Sequence, residues 1–352
     1  MDKMLYLCPS EMKILIAIDS MKGSLTSREA NDAARQGVLC RWPQAEVCCV
    51  AVSDGGEGFV DAVSATAPWK TVEVEVMDPL MRPVRARYLI YEHKAVVEMA
   101  QASGLGLLRP EERNPLVASS YGTGQLIADA LRHGATDITV GLGGSATSDC
   151  GRGMLEALHS RDVAQASFFI ATDVANPLLG AEGAAHVFAP QKGATPEMVD
   201  ELERRAHDFA RESQSRMGYD CSMAPGAGAA GGVGYAMMQY MGARRVSGVD
   251  YILDLADFDG LLADADLVIT GEGRADCQTL MGKLPQGVLR RAQGRAVPVL
   301  LLAGQVADSE ALSGAGFSSV VQVTPPDMPI AEALRPEVAR RNICEAVARW
   351  SQ

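Results

Sequence analysis

The chain has 352 residues, 47% of them hydrophobic and 22% charged, a soluble globular balance over a length that suits two domains better than one core. Acidic residues outnumber basic ones by 44 to 32, and the formal charge of −12 excludes a general attraction to nucleic acid or anionic lipid. No apolar run reaches the length of a membrane span, the start MDKMLYLCPSEMK has no signal-peptide pattern, and the eight cysteines form no C-x-x-C pair, so a cytoplasmic protein with reduced thiols is expected.

Residues 1–12 read as a tail. KILIAI (13–18) is a short continuous apolar run, as for a strand covered on both faces. The loop Asp19 to Ser24 follows, and Thr26 and Glu29 have capping-box spacing, which predicts a helix from there to about Arg41, before Pro43. EVCCVAV (46–52) reads as a second buried strand, left by Asp54-Gly55-Gly56-Glu57-Gly58. The pattern then changes: TVEVEVM (71–77) and RARYLIY (85–91) alternate with period two around a turn at 78–83, as antiparallel strands with one wet face do.

ITVG (138–141) is an apolar strand running into the glycines and small hydroxyl residues of GLGGSATSDCG (141–151). Successive backbone N–H groups at such a turn suit phosphate or carboxylate oxygens. The G-K-[ST] ending of a Walker A loop is absent, and Gly141, Gly143 and Gly144 have the wrong spacing for a dinucleotide fingerprint. DVANP (173–177) and PQKGAT (190–195) form polar turns, Pro196 to Arg216 a charged helix, and PGAGAAGGVGYAMM (225–238) a second glycine-rich helix entry. From Ala265 the βα rhythm returns with DLVIT (266–270), a helix from Leu284 to Ala292, VPVLLLAG (297–304), SSVVQV (318–323) and a closing helix from about Pro336 to Trp350.

The economical architecture is α/β: a doubly wound parallel-sheet, Rossmann-like domain built from both chain ends (13–75 and 262–352), with an inserted mixed α/β domain (76–261). Ligands of open α/β sheets lie beyond the carboxyl ends of the strands. Three polar loops are expected there, Asp19 to Ser24, Ser53 to Gly58 and Thr270 to Asp276. None of the five histidines has an i,i+4 partner, and no Ser/His/Asp or Cys/His arrangement can be argued.

DSMKGSLTSREA (19–30), SDGGEGF (53–59), EMAQASGL (98–105), YGTGQLI (121–127), GLGGSATSDCG (141–151), ATDVANPLLG (171–180), FAPQKGATPEM (188–198), PGAGAAGGVG (225–234) and GEGRADCQTLMGK (271–283) resemble, in order, the signature segments of the bacterial class I glycerate kinases, of glycerate 2-kinase type. The resemblance covers the chain from about Met12 onward. It departs at Ser148 and Cys150, where the family pattern has asparagine and glycine around the aspartate, and in the stretch from Gly153 to Phe168, which is shorter than the family's.

The resemblance implies an ATP- and Mg²⁺-dependent kinase acting on D-glycerate, with 2-phosphoglycerate as the usual product and the substrate in a cleft between two domains. Its partners are then small molecules, with no nucleic acid and no membrane; nothing decides for or against a homodimer. The phosphates are expected at Gly143, Gly144, Ser145 and Thr147, with Gly226 and Gly228 as a second contact. Lys22 and Arg274 are the cations expected in catalysis, and Asp173 or Asp276 the base, with nothing to separate them. Asp19, Ser24, Asp149, Asn176, Lys192 and Lys283 are substrate-binding candidates, and Asp54, Glu57 and Glu272 magnesium contacts. Two alternatives differ in kind: a small-molecule kinase for another hydroxy acid, and a non-catalytic glycerate- or nucleotide-binding relative arising from the shortened stretch.

Overall fold

A computed structural model describes residues 12–158 and 163–350. The chain divides into two compact units, one built from the described residues of 1–53, 61–65 and 249–352, the other from 54–60 and 66–248.

The first unit holds a five-stranded, all-parallel sheet. In chain order its strands are β1 (Lys13–Ile18) and β2 (Glu46–Cys49), with three more from the C-terminal part of the chain. β1 is buried from Ile14 to Ile18 because the sheet is covered on both faces. The helix Ser27–Arg41 starts at the expected capping box, in which the Thr26 side chain accepts from the Glu29 N–H and the Glu29 carboxylate accepts from the Thr26 N–H. On that side Ile14, Ile16 and Ile18 pack with Ala30, Ala34 and Val38 of this helix and with Ile343 and Val347 of the closing helix Pro336–Arg349. β2 corrects the expectation of a buried strand: it ends at Cys49 and leaves Cys48 and Cys49 exposed, because it forms an edge of the sheet and has only β1 as a neighbour.

The second unit carries a six-stranded sheet in simple chain order. β3 (Lys70–Met77) pairs antiparallel with β4 (Pro83–Tyr91), which pairs antiparallel with β5 (Lys94–Glu98). From there β6 (Asp137–Gly141), β7 (Ser167–Ala171) and β8 (Arg244–Val246) continue in parallel. β3 shows the one-sided burial that its alternation predicts. Tyr88, Val97, Leu126, Ile138, Ile170 and Met237 form the core between this sheet and its helices.

β9 (Leu267–Ala275), β10 (Val299–Val306) and β11 (Ser319–Gln322) complete the first unit, in spatial order β11-β10-β9-β1-β2. β9 outruns its sequence reading by pairing with β10 as far as Ala275. Among the described residues no helix is long and apolar enough to cross a membrane.

Candidate functional site

Both sheets concentrate their polar residues where parallel strands end. In the first unit the Asp19 N–H donates to Gly271 O at 2.9 Å, which sets the Asp19–Ser24 loop against the end of β9. A Cβ on Gly273 would lie 3.9 Å from Met21 Cα and 4.0 Å from Lys22 N. Lys22 is exposed. Ser24 Oγ is buried and has no hydrogen-bond partner among the described residues.

Beyond Gly273 the side chains are tied together. Thr279 Oγ1 donates to Glu272 Oε1 at 2.6 Å and accepts from the Asp276 N–H at 3.0 Å. Glu272 is 7% exposed and pairs with Lys283 Nζ at 3.5 Å; burial raises its carboxyl above the ordinary range, against the pull of Thr279 and Lys283. Asp276 caps the short turn Cys277–Leu280 by accepting from the Gln278 N–H, and meets Arg274 Nε at 3.3 Å. Arg274 is otherwise exposed. The structure thus joins Asp19, Lys22, Glu272, Arg274, Asp276 and Lys283 at one edge.

In the second unit the register aligns Glu98, Gly141, Ala171 and Val246, the last residues of β5 to β8. Four polar segments leave from that line. The Asp54–Gly58 loop lies over it: the Gly143 N–H donates to Gly55 O at 3.0 Å, and a Cβ on Gly143 would collide with Gly56 Cα, so only glycine permits this approach. Asp54 Oδ1 accepts from the Gly56 N–H within its own loop, and Glu57 is exposed.

The next loop, residues 142–149, is held from below. Leu105 N–H donates to Gly144 O, and Ala146 N–H to Ser103 O. Lys192, 3% exposed at the end of the turn Pro190–Lys192, donates to Ser145 Oγ at 3.0 Å and Thr147 O at 2.6 Å. Thr147 Oγ1 lies 3.5 Å from Ala230 O, and Ser148 Oγ is buried with no hydrogen-bond partner among the described residues. Asp149 is heavily engaged: its carboxylate accepts from Ser120 N and Oγ and from the N–H groups of Gly151 and Gly153.

Past β7, Asp173 Oδ1 accepts from Ser247 Oγ at 2.6 Å, joining the ends of β7 and β8. Asn176 donates to Glu182 O, while its own carbonyl accepts from the Gly228 N–H. Gly226 packs against Arg245 and Val174, so the 225–228 turn is fastened to the Asp173–Pro177 segment.

Sequence reasoning missed Glu98, which is 1% exposed and accepts from the N–H groups of Gly58 (3.2 Å) and Val60 (3.0 Å). Its signal was a carboxylate closing the apolar run KAVVE, which no solvated strand end requires. Thr279, Ser120 and Ser247 were missed for want of any local sign.

The glycine loop over the parallel strand ends of one unit, and the cations and carboxylates at the parallel sheet edge of the other, are parts that an α/β phosphotransferase uses. The glycerate kinase family model matches residues 14–166 and 159–352, so its two segments meet at the stretch noted above as short; residues 159–162 there lie outside the described residues. A glycerate kinase of Bacillus subtilis is 39% identical, with 92% of this chain and 93% of that protein covered. A glycerate 2-kinase of Escherichia coli is 38% identical, with 95% and 96% covered. A solved structure of a glycerate kinase 2 candidate from Salmonella typhimurium LT2 superposes with a TM-score of 0.77 at 37% identity, over 96% of both chains. The chain belongs to the glycerate kinase family, and its activity is the phosphorylation of glycerate.

Proposed function

We propose that the phosphoryl donor is ATP, that the acceptor is a hydroxyl of D-glycerate, and that the product is 2-phosphoglycerate. The observation that carries this reading is the edge formed by Glu98, Gly143–Asp149, Asp173 and Ser247 at the carboxyl ends of β5 to β8. The Gly143 and Ala146 N–H groups are held by Gly55 O and Ser103 O, so the N–H groups of Gly144, Ser145 and Thr147 would receive phosphate oxygens, with the 226–228 turn close to Asn176 as their neighbour. In the first unit Lys22, Arg274 and Lys283 are the cations available to a charged ligand, and Lys22 and Arg274 are exposed.

Among the described residues no group of three or more His, Cys, Asp or Glu side chains could hold a metal ion. Mg²⁺ is held by one or two carboxylates together with waters and phosphate oxygens. Asp54 and Glu57 fit this role, on a loop whose Glu57 N lies 3.9 Å from a Cβ built on Gly144. Glu272 fits it less well, since Thr279 and Lys283 already occupy its oxygens. When bound, the cation would neutralise charge on the transferred group. Asp173 and Asp276 remain the two candidates for the base; Asp276 is already engaged as a cap and with Arg274.

A coupled assay with ATP, Mg²⁺ and D-glycerate tests the reading, with the phosphorylated carbon assigned by phosphorus NMR. ADP release dependent on glycerate is expected, and loss of the true base should lower kcat by roughly 10²–10⁴-fold, as Asp173→Asn and Asp276→Asn would show separately. Thermal stabilisation by both ligands without turnover would make the chain a binder instead.

A further inference from the structure

Lys192 is the least comfortable charge in the second unit. Its side chain is buried against the Gly143–Thr147 loop, and its ammonium finds two neutral acceptors, Ser145 Oγ and Thr147 O. Among the described residues no carboxylate lies within 4.0 Å of it. An ammonium has three N–H donors, so one is left over in a nearly fully buried site. Burying a charge with no counter-charge is costly, and proteins resolve it by neutralising the group or supplying an opposite charge.

We propose that Lys192 is the buried counter-charge of the anion seat formed by the Gly143–Thr147 loop, and that a phosphate-bearing ligand settling there brings a proton onto its Nζ. The inference rests on reading that loop as the phosphate seat. In the empty protein burial pushes the Lys192 ammonium down to about 7, Asp149 being the titratable side chain that opposes the shift. Asp149 stays committed to Ser120, Gly151 and Gly153, and burial pushes the Cys150 thiol up to about 12, so Cys150 remains neutral. An anion above the loop favours the ammonium over the amine. The proton comes from solvent, and binding weakens as pH rises, because the amine must then be protonated against a falling proton supply.

Lys192 would thus act through the loop rather than by touching the substrate directly. Its bonds to Ser145 and Thr147 direct its charge at the loop backbone, and its sequence neighbour Gly193 is packed against Arg113 O.

The probe is ADP, titrated calorimetrically near pH 8 in Tris and in HEPES, whose ionisation enthalpies differ. The wild-type protein should take up close to one proton per ADP more than Lys192→Met does, and its ADP affinity should fall by up to about tenfold per pH unit above neutrality. Lys192→Arg, permanently charged, should bind ADP with no excess proton uptake and a flatter pH profile, and its melting curve checks that the fold survives. Equal proton counts for wild type and Lys192→Met would overturn the inference, with the wild type still binding ADP and phosphorylating glycerate. Failure of the wild type to bind ADP or to phosphorylate glycerate would instead remove the reading beneath it.

Discussion

Asp149 shows how a residue chosen for chemistry can be spoken for by the fold. Four donors converge on its carboxylate, two from Ser120 and two from the turn that opens the helix Arg152–Ala157. Three of the four go to Oδ2, so an asparagine with its oxygen there leaves the Gly151 N–H without an acceptor and facing an amide NH₂, at about 1–3 kcal/mol. Asp149→Asn should therefore lower the unfolding midpoint by several degrees, measured by calorimetry, whatever it does to activity. An unchanged midpoint with a large loss of glycerate affinity would return Asp149 to the substrate. Lys192, on the motif FAPQKGA, is likewise engaged within the fold, buried and bonded to Ser145 and Thr147.

At the scale of the element, the helices Ser27–Arg41 and Pro336–Arg349 meet at Gly37. A Cβ there would stand 2.5 Å from Cys344 O and 2.8 Å from Val347 Cβ. Helix propensity favours alanine over glycine by ~1 kcal/mol, whereas forcing extra bulk into a tight contact costs ~1–3 kcal/mol, and a backbone carbonyl cannot swing aside. The clash wins. Gly37→Ala should lower the thermal midpoint by a few degrees, although the same change on an exposed helix face would raise it. Elements of this kind were legible in the sequence where the signal is local: the Thr26–Glu29 cap, the period-two strands β3 and β4, and the apolar runs of β1 and β10 came through nearly unaltered. β2 did not, because EVCCVAV is as apolar as a central strand and only its place at the edge exposes it.

The whole molecule carries its N-terminal and C-terminal strands in one sheet, so the first unit is incomplete until the end of the chain is present. The helix Pro336–Arg349 buries Val338, Ala339, Ile343 and Val347. At about 1.5–3 kcal/mol for each large apolar side chain, their loss removes a sizeable part of the ~5–15 kcal/mol that holds a typical domain together. A chain ended after Arg335 should lose the cooperative unfolding transition of this unit, followed by circular dichroism in urea; retention of that transition would show the helix to be dispensable.

Read without coordinates, the residues settled what depends on neighbours within a few positions: the parallel and antiparallel strand types, the helix starts, the glycine loops and a set of motifs specific enough to name a family. What they could not settle are partnerships across long stretches of chain, such as Lys192 with Ser145, Glu98 with Gly58 and Val60, or Asp173 with Ser247. Periodicity and capping act through local backbone geometry, so they are written in local order. Whether a lysine meets solvent or the underside of a loop depends on which distant segment packs against it, and that is decided only when the sheet and its crossovers have closed.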